Sequence, residues 1–478
     1  MAEPLWTPEA MTAATGGRLS APFAPTGISI DSRDLAPGDL FVALSDRRDG
    51  HDFVAAAMAA GASGALVNRP VGQGPELIVP DTLAALTRLG LAARDRADAV
   101  RVAVTGSVGK TSVKEMVARI FRAAGPAHAS VKSFNNQWGV PLTLARMPRV
   151  TARAVFEIGM STPGEIAPRS EMVRPHGALV TVIAPAHLEG LGSLEAIADE
   201  KADIFAGLEA GGAICLPAES PYFERMAARA LGLQPHAEIF TFGETGEAAV
   251  AVTEYQTDGQ TCRVSLSAFG EPVTLGLGVV GRHWAVNAAA AVLLACVNGA
   301  VTPREAAAAL EGYAAPEGRG GALSLPLAGG GAYTLVDDAY NANPASMEAG
   351  LSAFAARPAR RRFVALGEMR ELGPDAEALH AGLAGAVLAV GPEKVFLAGP
   401  LMRPLAEALG GRCDVEWQPT AEALAGSITN AVGDGDALLI KGSNASGMGR
   451  LVRVLRDRAA RGGASVESQN GTGGSHAV

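Results

Sequence analysis

Cysteine is scarce, and its four copies in 478 residues are too scattered to organise the chain. Cys215, Cys262, Cys296 and Cys413 form no Cys-x-x-Cys pair. That excludes a zinc knuckle or a disulfide framework and leaves four buried small residues in a reducing compartment. Long apolar runs are also missing: nothing approaches the ~18 residues of a membrane-spanning helix. The start, Met1-Ala2-Glu3-Pro4, has no basic stretch leading into an apolar core, so no membrane insertion and a cytoplasmic location are expected. Positive charge is in deficit, with 40 Lys and Arg against 49 Asp and Glu. The formal net charge of -9 provides no general basic field, so no nucleic-acid partner is expected and any anionic ligand must be held by local groups.

What is present is length and small apolar residues. A chain of 478 residues, 48% hydrophobic, holds several cores, about three at the usual ~150 residues per domain. The alanine-rich runs Ala55 to Ala60, Ala288 to Ala291 and Ala306 to Ala309 suit tightly packed helices in an α/β scaffold. Short β-like runs at Ile28 to Ile30, Leu40 to Leu44, Ala65 to Val67 and Leu77 to Val79, with helices from Phe53 and Leu83, make residues 1–98 a small α/β unit.

A second block, 99–314, opens with the buried-strand pattern Arg101-Val-Ala-Val-Thr105, a glycine loop, and a helix with apolar Val113, Met116, Val117 and Ile120. Strands at Ala154 to Ile158, Ala178 to Ile183, Ala213 to Leu216 and Ile239 to Phe242 continue a doubly wound pattern. The stretch Ala249 to Val280 alternates apolar and polar residues like an antiparallel appendage, and a helix from His283 to Cys296 follows. Thr302 caps the next helix, with Pro303 in its first turn. Pro316-Glu-Gly-Arg-Gly-Gly321 marks the next boundary. The third block, 315–461, has strands at Tyr333 to Asp337, Phe363 to Leu366, Val395 to Ala398 and Ala437 to Ile440 with helices between them, as in a second parallel sheet. The Gly/Ser-rich end, 462–478, is expected to be a disordered tail.

The strongest chemical signal is Gly106-Ser107-Val108-Gly109-Lys110-Thr111-Ser112 between a strand and a helix. Glycines let backbone N–H groups face phosphates, the helix start adds positive potential, Lys110 neutralises outer phosphates and Thr111 can ligate magnesium. Val104 stands where the strict phosphate-loop pattern has its first glycine, and a plain strand-to-helix turn is the bland alternative. Glu157 and His187 follow strands of the same block, where a carboxylate and an imidazole can hold a metal beside a phosphate. Taken singly, each also reads as an ordinary surface or hydrogen-bonded residue. Lys201 reads as a helix-surface lysine. His283 and Asn287 lie one turn apart on an alanine helix, where a nucleotide base or helix capping gives them partners. Asp337-Asp338-Ala339-Tyr340-Asn341-Ala342-Asn343-Pro344, Glu368 to Gly373 and Lys441 to Asn444 are three polar strand ends on one sheet, the place for a ligand pocket.

Together with Ser133-Phe-Asn135-Asn136-Gln-Trp-Gly, Glu157-Ile-Gly-Met-Ser161 and Ala186-His187-Leu-Glu-Gly, these segments resemble the Mur ligases, over nearly the whole chain. The resemblance implies a three-domain α/β protein with a central doubly wound P-loop ATPase domain and a C-terminal Rossmann-like domain. It implies an ATP-dependent ligase with UDP-N-acetylmuramoyl-tripeptide and D-alanyl-D-alanine as substrates, ATP and Mg2+ as cofactors, and a monomer. By the same resemblance Lys110 meets the outer phosphates, Thr111 and Glu157 hold magnesium, His187 holds a second magnesium, and Lys201 is carbamylated. His283, Asn287, Arg319, Asp337 and Asn341 would meet the nucleotide, and Asp31, Ser32, Arg33, Asn135 and Asn136 the UDP-linked substrate. Glu368 departs from the family's usual Asp, and Asn444 from an expected Arg. The alternatives are another amide ligase of the superfamily, of tripeptide-forming or folylpolyglutamate synthase type, and a P-loop ATPase that switches shape without ligating.

Overall fold

Uninterrupted apolar runs bounded by turn residues form the strands, and runs with a three-to-four-residue period form the helices packed on them. The computed structural model describes residues 3–470 apart from 132, 186 and 187, with the backbone alone for 462–470. Among the described residues the chain builds three sheets, of five, nine and six strands.

In the first sheet, Gly27–Ser29, Asp39–Val42, Gly64–Val67 and Glu76–Ile78 run parallel, and the short Arg18–Leu19 adds antiparallel to the last. The helix Thr82–Arg96 starts where the Asp81 carboxylate accepts the N–H groups of Leu83 and Ala84 at 2.9 and 3.0 Å. Leu86, Leu89 and Ala93 on this helix share one core with Leu142 and Ala145 of the next domain's helix Gly139–Ala145. Trp6 reinforces the joint, donating its indole N–H to the Ala145 carbonyl at 3.0 Å while the Arg96 guanidinium lies 3.8 Å from its ring centre.

The middle sheet runs, from one edge, Ala127–Ala129, Arg153–Glu157, Val100–Thr105, Gly177–Val180, Ala213–Pro217 and Glu238–Gly243, all parallel. Helices Lys110–Ala123 and Arg282–Cys296 cover one face, and Ile166–Val173, Leu194–Ala202 and Phe223–Leu233 the other. This is the doubly wound arrangement that the alternation of elements predicts. Val250–Thr257, Cys262–Ala268 and Glu271–Leu277 do not stand apart as an appendage but extend the same sheet, because Val250 and Ala251 pair with Phe242 and Gly243. Their inward residues, Val264, Leu266 and Leu275 among them, meet the alanines of Arg282–Cys296, whose small side chains let helix and sheet approach closely.

The third sheet is ordered Gly321–Pro326, Ala332–Asp338, Ala437–Lys441, Arg362–Gly367, Lys394–Ala398, Asp414–Gln418. It is mixed rather than wholly parallel, since Gly321–Pro326 pairs antiparallel at one edge. Both edge strands escape a search for apolar runs: one ends in proline, and Asp414-Val-Glu-Trp-Gln418 alternates polar residues because only part of it is covered.

Two expectations are corrected. The last helix, Met448–Asn470, runs past Gly462 into the stretch expected to be disordered, since glycine costs a helix about 1 kcal/mol but removes no backbone donor. Residues 471–478 lie outside the described residues. Of the cysteines, all free, Cys215 and Cys262 are buried, but Cys296 and Cys413 are only half-buried.

Leu142→Ala should lower stability by about 3 kcal/mol, because it opens a cavity in a core shared by two domains. Urea unfolding followed by far-UV and tryptophan signals checks this. An unchanged midpoint would contradict the shared core.

Candidate active site

The strand Val100–Thr105 ends in a loop that only glycine can close. Gly106 and Gly109 sit at φ +146° and +87°. A Cβ on Gly106 would lie 1.8 Å from the Thr181 hydroxyl, and one on Gly109 2.8 Å from Asn287 Oδ1. The helix Lys110–Ala123 then starts with no side-chain cap, leaving its first N–H groups for a ligand. Ser107, Val108 and Ser112 complete the rim of the cleft. Lys110 folds back over the loop and donates to the Gly106 carbonyl at 2.5 Å. Burial pulls its pKa below the usual lysine value, with Glu157 opposing and Arg319 adding to the fall.

Beside the loop, buried Glu157 has both oxygens engaged. Thr111 donates its hydroxyl to one at 2.7 Å, and the Asn135 amide donates to the other at 2.7 Å. Arg319, from the segment between the second and third sheets, donates to Thr111 Oγ1 at 2.9 Å and to Ser133 Oγ at 3.3 Å. Its guanidinium is also stacked 4.2 Å from the Tyr340 ring centre. A residue far along the chain thus closes onto the glycine loop. Asn136 lines the same cleft and accepts the Trp138 and Gly139 N–H groups at 3.2 and 2.9 Å, fixing the start of Gly139–Ala145.

The cleft, of about 820 Å³, has its far wall in the third domain. Lys441 donates to Asp338 at 2.7 Å and to the Asn341 carbonyl at 3.2 Å. Burial raises the Asp338 pKa, with Lys441 opposing. Asn343 caps the helix Pro344–Ala355 in a reciprocal box with Ser346, so this polar strand end is both a capped helix start and a cleft wall. His283 and Asn287 face it from the middle domain. Burial, and then the Lys441 charge, hold the His283 pKa down at about 4.

Other expected residues lie elsewhere. Strand alternation turns Asp338, not Asp337, into the cleft; Asp337 is buried and accepts the Ala339 N–H at 3.2 Å. Asp31 and Arg33 pair with each other at 2.7 Å on an exposed loop of the first domain with Ser32 between them, away from the cleft. His187 lies outside the described residues. Lys201 is not on the helix surface: it is 1% exposed, its ammonium has no hydrogen-bond or ion-pair partner among the described residues, and burial and the Lys110 charge drive its pKa well below the usual value against Glu200. Glu368 is buried, accepts the Leu401 N–H at 3.0 Å and pairs with Arg370, while Asn444 is exposed; neither lines the cleft. Glu165 and Arg169 do line it and were not anticipated, since a helix Ile166–Val173 with mixed polarity carries no motif that marks them.

A glycine loop with a lysine, a hydroxyl and a carboxylate, facing a second polar wall across two α/β domains, defines a nucleotide-binding enzyme whose reaction lies between domains. The family described as Mur ligase middle domain matches residues 104–295, and that described as Mur ligase, glutamate ligase domain, matches 327–444. The UDP-N-acetylmuramoyl-tripeptide–D-alanyl-D-alanine ligase of Escherichia coli is 35% identical over 90% of this chain and 93% of its own length. That of Mycobacterium tuberculosis strain H37Rv is 33% identical over 90% and 91%. The crystal structure of MurF from Acinetobacter baumannii superposes with a TM-score of 0.81 at 28% identity, over 95% of this chain and 99% of that one. The chain belongs to the Mur ligase family.

Two outcomes are expected. Gly109→Ala adds a Cβ in a left-handed position against Asn287 and should weaken ATP binding at least about ten-fold by calorimetry. An unfolded chain protonates a histidine below about pH 6.5, whereas folded His283 resists until about 4, so its contribution to stability falls as pH drops between those values. His283→Gln should therefore lose less stability than wild type between pH 7 and 5, measured by urea midpoints.

Proposed function

We propose that this chain joins D-alanyl-D-alanine to UDP-N-acetylmuramoyl-tripeptide at the expense of ATP, in the cytoplasm, as a step of peptidoglycan precursor synthesis. One observation carries the reading: Lys110, Thr111 and Glu157 of the middle domain face Arg319, Asp338 and Lys441 across one cleft. Nucleotide phosphates held at the glycine loop would meet an acceptor and a nucleophile presented by the flanking domains. The names carried by the full-length relatives support the choice of substrates.

The terminal carboxylate of the tripeptide attacks the γ-phosphorus of ATP, ADP leaves, and an acyl phosphate forms. The amine of D-alanyl-D-alanine then attacks the acyl carbon, loses a proton and expels inorganic phosphate. Both steps place negative charge on phosphate oxygens, so the chain acts by positioning and charge neutralisation. Lys110 and the loop N–H groups hold the β- and γ-phosphates, and Arg319 approaches the same charge. The Thr111 hydroxyl and Glu157 carboxylate, hydrogen-bonded at 2.7 Å, are hard oxygen donors that fit Mg2+, and His187 is proposed for a second Mg2+. Bound there, Mg2+ supplies charge neutralisation beside the phosphates.

Residues 1–98 take the uridine nucleotide through Asp31, Ser32 and Arg33, 99–314 take ATP with Asn135 and Asn136 toward the shared substrate, and 315–461 present the dipeptide. His283, Asn287 and Asn341 border the nucleotide. The reading takes the working unit to be a monomer. Among the described residues no helix is long and apolar enough to cross a membrane, and UDP-linked and ATP substrates suit a cytoplasmic enzyme. The depressed pKa of Lys201 favours the neutral amine that adds to CO2 with loss of a proton, giving a carbamate whose negative charge sits near Lys110 and the metal site.

Lys110→Ala should abolish phosphate release while leaving binding of the UDP-tripeptide within about two-fold. In wild type, phosphate release must depend on D-alanyl-D-alanine and equal pentapeptide formed; release without dipeptide would favour a switch ATPase. Protein equilibrated with ¹³CO2 should show a carbamate ¹³C signal that Lys201→Ala removes.

A further inference from the structure

The three antiparallel strands from Val250 to Leu277 contribute nothing to the cleft, yet their first turn reaches the third domain. That turn holds its own shape: Asp258 Oδ1 accepts the N–H groups of Gln260 and Thr261, each at 2.7 Å, and Thr257 Oγ1 accepts that of Gly259 at 2.9 Å. Gly259, at φ +83°, meets the loop after the helix Pro344–Ala355. A Cβ on it would lie 2.4 Å from Pro358 Cδ and 2.7 Å from the Ala356 carbonyl. Between those two residues stands Arg357, only 8% exposed, with no hydrogen-bond or ion-pair partner for its guanidinium among the described residues. Burial lowers its pKa, and the charge that opposes the fall is the exposed Asp258 carboxylate of the turn, which acts through space without an ion pair to Arg357.

The helix leading into this loop is the one that walls the cleft. Asn343, Ser346 and Gly350 face the cleft, and one turn further on Ala353 packs on the start of Arg282–Cys296, where a Cβ on Gly281 would lie 3.0 Å from it. The Gly281 N–H donates to the Tyr255 hydroxyl at 2.8 Å, on the same hairpin as the turn. The Arg357 side chain packs its stem against the turn, and the Asp258 charge favours its cation only while the two domains are docked.

We propose that the turn Thr257 to Thr261 is a docking arm: Gly259 seats the loop Ala356 to Pro358 and Asp258 supports buried Arg357, holding the third domain's wall over the glycine loop. Asp258 and Arg357 are positioning residues, since neither lines the cleft. The expected effect on rate rests on the ligase reading; the docking itself does not.

Small-angle X-ray scattering of the full chain with the ATP analogue AMP-PNP, beside steady-state kinetics with the UDP-tripeptide and D-alanyl-D-alanine, tests this. Two variants are used, Arg357→Ala and Asp258→Asn, the second keeping the Oδ1 acceptor that shapes the turn. Both should increase the radius of gyration and lower kcat about five-fold, with KM for the UDP-tripeptide within about two-fold, and Arg357→Lys should restore at least half the rate. A wild-type radius of gyration in both variants, whatever the rate, overturns the docking arm. Expanded variants of a wild type that fails to ligate D-alanyl-D-alanine would uphold the arm and sink the ligase reading instead.

Discussion

In a parallel sheet every strand delivers its carboxyl end to the same edge, and the loops there must leave the sheet and return as helices. Polar groups and unpaired helix starts collect at that edge as a consequence of connectivity. This molecule faces two such edges toward each other. Arg319 on Thr111, and Tyr340 beneath the Arg319 guanidinium, are contacts made where the edges meet. Everything else in the fold serves to bring those edges together. The first domain is joined to the middle one through a common core around Leu142, and the long antiparallel strands carry a turn out to the third.

Charge is handled in two ways at this junction. Some buried groups are paired in full, as Glu157 is by Thr111 and Asn135 and as Lys441 is by Asp338. Others are left under-compensated: Lys110 has one carbonyl, and Lys201 has no bonded partner among the described residues. An excess of buried cations around a glycine loop is what a polyanionic ligand would relieve, because its oxygens supply the missing acceptors. The fold stores this imbalance where phosphate belongs.

Much of this could be read from the residues. Val102 to Thr105, then Gly106 to Thr111, then an amphipathic helix, can only be a strand, a loop and a helix in contact, because the periodicity changes from continuous to 3.6 across two glycines. The capping residues Thr302 and Asn343 stand where their helices start, each followed by proline. Edge strands such as Asp414–Gln418 were not legible, since a half-covered strand has no reason to be apolar. Lys201 was misread as a surface lysine because local spacing reports a helix face but not what packs on it.

What the sequence by itself determined was therefore local and periodic: where strands and helices begin, which loop requires glycine, and which strand ends are polar. Only the tertiary structure decided which of those polar ends meet. Asp338 rather than Asp337 faces the cleft because of one residue of strand register, and Arg319 reaches Thr111 across 208 positions of chain. Contacts of that kind depend on the relative placement of whole sheets, which is set by packing summed over many side chains and leaves no mark in any short stretch of residues.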